Sequence, residues 1–383
     1  MAGSIQRLPD RPSPWRARYR APDGRERSKT FRRKVDAERW LRDHLGRIDR
    51  AEWTDPKGGV VAFGDVASRW LDTRRAVRPS TRARDESYLR NQILPYFGPR
   101  PLASLSPSDF EAWISELESE ELAASTIVKA WQIAGAVLRL AVRDGLIART
   151  PARDVELPRI EPSEPRIVDV ETVFSIAEAM PDLRDRVMVL TMAFAGLRFG
   201  ETAGMWVEDL DVLRRRLTVR RNAADVNGHV IIGQPKTRKG VRTVAIPSIL
   251  ADELSAYLAT HELKKDSWLF PDAAGGPLRR GNWDARRWTP TVRALGLDEL
   301  DMHDLRHVHV SVLIDQGEHP KVIAERLGHV SVRTVLDVYG HLFPGTDEET
   351  AARLDERLRA AQGGHKPATA DVVDLPRRDK NPD

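Results

Sequence analysis

Six residues in the second half of this chain, Arg198, Lys236, His303, Arg306, His329 and Tyr339, read as one active site. That reading constrains the fold more than any other feature. Their contexts are Gly196-Leu-Arg-Phe-Gly-Glu201, Pro235-Lys-Thr-Arg-Lys239, His303-Asp-Leu-Arg306 and Leu327-Gly-His329, with Tyr339 further on. Cationic and donor groups converging on one phenol are the equipment for breaking and remaking a phosphodiester without a metal ion.

The rest of the composition sets the setting. At 383 residues the chain can bury a sizeable core, in roughly two to three domains. With no cysteine, disulfides and thiolate metal sites are excluded, which fits a reducing cytoplasm. The most apolar run, Val187 to Leu197, is too short for a membrane span, and the N-terminus lacks the apolar segment of a signal peptide. The net charge is +4, but residues 1–50 hold 15 Arg or Lys against 7 Asp or Glu, a local balance of +8. A basic end on a nearly neutral body points to a polyanion-binding module. Arg abundance alone carries little weight, since Arg outnumbers Lys 50 to 11. Clustering carries more.

Periodicity predicts how the chain is divided. Trp15-Arg-Ala-Arg-Tyr-Arg20 alternates like a strand, placing Arg16, Arg18 and Arg20 on one face. Pro22-Asp-Gly24 is a turn and Arg27 to Phe31 the returning strand. Ala37, Trp40, Leu41, Leu45 and Ile48 then repeat at helical spacing. After a linker at Asp55-Pro-Lys-Gly-Gly59, residues 62–150 read as helical. Pro79-Ser80 precedes a helix carrying Arg82, Arg84 and Arg90. Ser106-Pro107 is a cap followed by a first-turn proline, and a further helix runs from about Ser125 to Asp144, stopped by Gly145. Four prolines between Pro151 and Pro165 mark a connector. Beyond Val168 helices dominate, with β-rich runs at Leu217–Arg220, His229–Ile232 and Val241–Ile246. The first two are expected to flank a turn at Asn227-Gly228, with Lys236 in the following bend. A charged helix and a loosely ordered tail close the chain.

In order, spacing and context the six residues resemble the tyrosine recombinases, the lambda-integrase-like phage integrase family. That resemblance implies a multidomain, mainly α fold with small β elements. Residues 1–54 would form a β-sheet-plus-helix arm-type DNA-binding module, 62–150 a helical, SAM-like core-binding domain, 151–166 a linker, 167–345 the catalytic domain, and 346–383 a C-terminal helix and tail. It further implies integration or excision of a phage or other mobile element through a 3′-phosphotyrosyl intermediate. Four copies would act on double-stranded DNA at core and arm sites in the cytoplasm of a bacterial host, with no cofactor and no membrane. A host DNA-bending protein and a directionality factor would be possible partners. A chromosome-dimer-resolving recombinase and a type IB topoisomerase-like nicking-closing enzyme share the chemistry. The basic residues 1–54 favour the integrase, because neither alternative calls for an arm module.

By the same resemblance Tyr339 is the nucleophile, and Arg198 and Arg306 hold the non-bridging phosphate oxygens, for which planar guanidiniums are suited. His303 and His329 are the candidates to accept the phenol proton and bond phosphate oxygens. Lys236 protonates the departing 5′-oxygen, with Lys239 its rival in the same loop. Glu201 orients Arg198. His303 and His307 stand four apart, but Asp304 and Arg306 beside them argue against zinc, and His307 and His309 are assigned no chemistry. Arg16, Arg18, Arg20, Arg82 and Arg84 are the candidate DNA contacts outside the catalytic set.

Overall fold

The computed structural model describes residues 3–363 apart from 10, 23, 50–57, 162–164, 236, 329, 330, 344 and 346. Two expected site residues, Lys236 and His329, therefore lie outside the described residues, as do most of the first linker and the tail beyond Gly363. The described residues form two compact units, 1–163 with Asp225–His229, and 164–224 with 230–383.

In the first unit, β1 (Gly3–Arg7), β2 (Trp15–Arg20) and β3 (Glu26–Phe31) make an antiparallel sheet with β2 central. Ala17 and Tyr19 on β2 are buried. The Tyr19 ring meets Trp40 of the helix Lys34–Asp49 at 5.4 Å between centroids. Pleating turns the arginines the other way: Arg16 donates to Ser28 Oγ at 3.0 Å, Arg18 to Ser4 Oγ at 2.8 Å, and Arg20 is exposed. β1 has no counterpart in the sequence reading. Its one apolar residue, Ile5, gives no period, and it is a strand because β2 offers it an edge.

The helical part of this unit comprises Phe63–Thr73, Pro79–Tyr88, Pro107–Ser119 and Ala124–Arg143. The second of these continues through a π turn, Leu89–Ile93, into Leu94–Phe97. Phe97 lies tilted against Phe110 at 4.6 Å and edge-on to Trp113 at 5.2 Å between centroids, forming an aromatic centre to the core. Ser106 caps its helix with Asp109, whose carboxylate accepts from Ser106 N at 2.7 Å. The helix Ala124–Arg143, at 20 residues, is long and apolar enough to cross a membrane by length and composition. The length of the Val187–Leu197 run therefore did not decide the matter, because this helix passes the test that run fails. Its inward face, from Ile127 to Ala141, is instead spent on the core. Arg82 serves the fold, donating to the Leu71 carbonyl at 2.5 Å, while Arg84 is exposed.

The second unit is built around the helix Leu183–Ala195, buried on nearly every side and continuous with the apolar run in the sequence. Against it pack Val170–Ala179, Ser248–His261 and Asp304–Asp315. Two small sheets follow in the chain: β4 (Leu210–Asp211), β5 (Arg216–Val219) and β8 (Arg242–Ala245) in one, β6 (Asn222–Val226) and β7 (His229–Gly233) in the other, residues 225–229 of the latter belonging to the first unit. Here the strand pairing differs from expectation. The Asn227-Gly228 turn, with φ of 50° and 84°, joins β6 to β7, whereas the 217–219 run pairs with β8. The cause is Asp209. This buried carboxylate takes Arg220 at 2.5 Å and Arg221 at 2.8 Å, so the chain breaks between β5 and β6. A smaller core of Val310, Ile314, Ile323, Leu327, Val335 and Tyr339 fixes the helices Pro320–Leu327 and Arg333–Tyr339. The helix Asp347–Gly363 exposes Leu354 and Leu358.

Candidate active site

Helix ends deliver most of the site. Leu183–Ala195 terminates at Gly196, whose φ of 64° turns the chain sharply towards Arg198. The left-handed region is open to glycine without steric cost. Arg198 then caps the short helix Phe199–Ala203, and Glu201 Oε2 accepts its backbone N–H at 3.1 Å. Gly200 is glycine for want of room: a Cβ there would lie 2.6 Å from the Ala223 carbonyl and 2.7 Å from Asn222 Oδ1 of β6.

Glu201 is the electrostatic centre. Its side chain is buried and receives Arg198 Nη1 at 2.9 Å and Arg242 Nη2 at 2.9 Å, with Arg306 Nη1 at 3.9 Å. Burial pushes this carboxyl up, but the hydrogen bonds and charge of Arg242, joined by Arg306 and Arg198, outweigh it and hold the group below its ordinary value. Arg306, itself buried, donates to the carbonyls of Gly196 at 2.5 Å and Leu327 at 2.6 Å. It thereby ties the Arg198 turn to the helix that leads to Gly328. Arg242 makes a parallel brace, donating to the Arg326 carbonyl at 2.6 Å and the Gly240 carbonyl at 3.1 Å.

Tyr339 ends its helix with the ring buried. Its hydroxyl lies 2.5 Å from Nδ1 of His307. Desolvation pushes the phenol up to about 12, against the pull of Arg306. His307 is displaced downward, by burial first and then by Arg306. The His303 ring stands edge-on to His307, at 5.1 Å between centroids. It too is pulled down, by desolvation, His307 and the charges of Arg306 and Arg198.

The structure thus gathers Arg198 and Arg306 around the Glu201 carboxylate, and His303 and Tyr339 around His307. Two of its contacts were not foreseen in the sequence. Among the described residues, the group bonded to the phenol is His307, which had been assigned no chemistry. His303, Arg306 and His307 stand at i, i+3 and i+4, and that spacing puts them on one helix face. Arg242 was also missed as a site residue, although the Arg242-Thr-Val run follows the Lys236 bend directly. His309 behaves as a packing residue, buried and within 3.4 Å of Arg326 Nε. Arg16, Arg18, Arg20, Arg82 and Arg84 all belong to the other unit.

The phage integrase family model matches residues 167–345, a phage integrase N-terminal SAM-like domain matches 62–118, and a phage integrase N-terminal domain matches 1–50. The phiRv2 prophage integrase of Mycobacterium tuberculosis is 31% identical over 356 residues, covering 89% of this chain and 92% of that protein. This chain belongs to the phage integrase family. Its fold is shared with the Tn1549 transposon integrase in complex with transposon right end DNA, at a TM-score of 0.65 and 18% identity over 78% of this chain and 100% of that one. A lambda integrase tetramer bound to a Holliday junction matches at a TM-score of 0.57 and 16% identity, over 86% of this chain and 94% of that one. As an integrase-family protein it is a tyrosine-type site-specific DNA recombinase, of the kind that serves mobile-element integration.

Proposed function

We propose that the integrase cuts and rejoins double-stranded DNA with Tyr339 as nucleophile. Oη attacks a backbone phosphorus, a 3′-phosphotyrosyl bond forms, and the bond to the 5′-oxygen breaks. Arg198 and Arg306 hold the non-bridging oxygens, whose negative charge grows in the transition state. Glu201 aims both guanidiniums while its own charge offsets their repulsion. Lys236 supplies the proton to the departing 5′-oxygen, and His303 and His329 bond the phosphate. The new 5′-hydroxyl of a second duplex then attacks the phosphotyrosyl link. Bond energy is retained throughout, so the cycle needs no nucleotide.

The observation that carries this reading is the Glu201 cluster beside a buried phenol. Two arginines from distant segments share one carboxylate, at 2.9 Å for Arg198 and 3.9 Å for Arg306. Arg306 is followed on its helix by the residue that meets Tyr339 Oη at 2.5 Å. In this reading residues 1–54 bind arm DNA through the Arg16, Arg18 and Arg20 face, 62–150 grip the core site, 151–166 connect, and 167–345 do the chemistry. The DNA in the Tn1549 and lambda complexes supports a DNA partner here, and the lambda tetramer supports assembly as four copies.

The test is covalent trapping on a nicked duplex made from the junction sequences that flank the chain's coding element. Wild type should accumulate a protein–DNA adduct. Tyr339→Phe, which removes one oxygen and little shape, should bind the duplex and form none. An adduct from the Phe variant would overturn the assignment.

A further inference from the structure

The mechanism above leaves one step without a described agent, the removal of the phenol proton. Tyr339 is 3% exposed. Its helix is pinned by the packing of Val335 and Tyr339 with Val310, Ile314, Ile323 and Leu327. That packing presents the hydroxyl to the helix face carrying His303, Arg306 and His307. The His307 and Tyr339 rings lie 5.5 Å apart between centroids, and Nδ1 to Oη is 2.5 Å.

Protonation states follow from the surroundings. Desolvation keeps the phenol protonated at neutral pH, so it is the donor, being pushed up to about 12. Among the described residues, the ionisable groups around His307 are Tyr339 at Nδ1, Arg306, which lowers it, Asp301, which raises it, and His303 at its ring edge. The net displacement is downward, so the imidazole is neutral near pH 7 and Nδ1 can accept. An imidazole in hydrogen-bond contact with a nucleophile's hydroxyl meets the geometric criterion for its base.

We propose that His307 is the catalytic base of the integrase, its Nδ1 taking the phenol proton as Oη attacks phosphorus. The proposal rests on Tyr339 being the nucleophile. As the P–Oη bond forms and the P–O5′ bond breaks, one proton moves from Oη to Nδ1 and a different one passes from the general acid to O5′. In the rejoining step the imidazolium returns its proton to the departing phenolate. No other reactant is consumed. His303, edge-on to His307, is left free to bond the phosphate.

His307→Asn separates the base from a mere holding contact, because the amide keeps an acceptor near the Nδ1 position but has no useful basicity. On the trapping duplex, DNA binding should match wild type. Adduct formation at pH 7 should fall by roughly 10²–10⁴-fold, the usual contribution of a positioned base. The rate should recover as pH rises towards the phenol's own ionisation. A 5′-bridging phosphorothiolate, whose sulfur leaves without a proton, should restore cleavage to Lys236→Ala and not to His307→Asn. His307→Gln, which also lacks a base, serves as the second variant if Asn unfolds the domain, and should be as slow. Wild-type rates from either folded variant, or phosphorothiolate rescue, would overturn the base assignment. An adduct from Tyr339→Phe would overturn the nucleophile reading instead, so the two failures are distinguishable.

Discussion

Replacing Glu201 with glutamine keeps shape and removes one charge from the point where three guanidiniums meet. Glu201 is 3% exposed, and its oxygens lie 2.9 Å from both Arg198 and Arg242 and 3.9 Å from Arg306. Removing one partner from a buried ion pair costs about 3–5 kcal/mol, because the remaining charge stays desolvated and unbalanced. At about 2–4 °C per kcal/mol for a domain of this size, the melting temperature should fall by about 6–20 °C. The carboxyl sits below its ordinary value in the folded protein. Its stabilisation is therefore complete above the unfolded carboxylate value of about 4.3 and is lost as pH falls through the folded one. The gap between wild type and Glu201→Gln should be widest near pH 7 and close in acid. Calorimetry of both proteins across that range measures it. A gap under about 2 °C at pH 7, or one that widens in acid, would refute the view of Glu201 as the charged hub.

Further expectations concern the rest of the molecule. Lys236→Ala should lose cleavage of normal DNA and regain it on a phosphorothiolate while Lys239→Ala cleaves nearly as wild type; the reverse pattern moves the general acid to Lys239. Gly200→Ala should destabilise the domain by about 1–3 kcal/mol, since the added methyl overpacks the contact with β6, where Ala223 O would be 2.6 Å away; a melting temperature equal to wild type would contradict it. Deleting residues 1–54 should spare adduct formation on a core duplex but impair recombination that depends on distant arm sites. It should also flatten the salt dependence of DNA affinity, whose slope is about −0.9 per phosphate contact; a truncated protein that recombines as well as the full chain would remove the arm role.

How much of this was legible in the sequence depended on whether the cause was local. The β2 alternation, the Ser106 cap and the helix stopped by Gly145 follow from neighbours a few positions apart, and all three are found. The exchange of partners among β5, β6 and β8 is set by Asp209, 11 and 12 residues before the arginines it binds, and no period in β5 or β6 records it. β1 is a strand only because β2 lies beside it. Within the site, Arg198, Glu201, Arg306 and Tyr339 were readable because each has a specific local context. Arg242 was not, since fifty arginines make one more unremarkable until Glu201 is seen to bury it. His307 could have been found from its position one residue after Arg306, on the face that must meet the phenol.

Mapping the covalent adduct tests the central claim most directly. The chain has five tyrosines, and the tryptic peptide from Thr334 to Arg353 contains Tyr339 alone. Wild-type protein trapped on the nicked duplex should be digested with nuclease and trypsin and read by mass spectrometry. The account predicts a nucleotide 3′-phosphate attached to Tyr339 in that peptide. Attachment at Tyr19, Tyr88, Tyr96 or Tyr257, at a residue other than tyrosine, or nowhere while DNA is still cut, would contradict it.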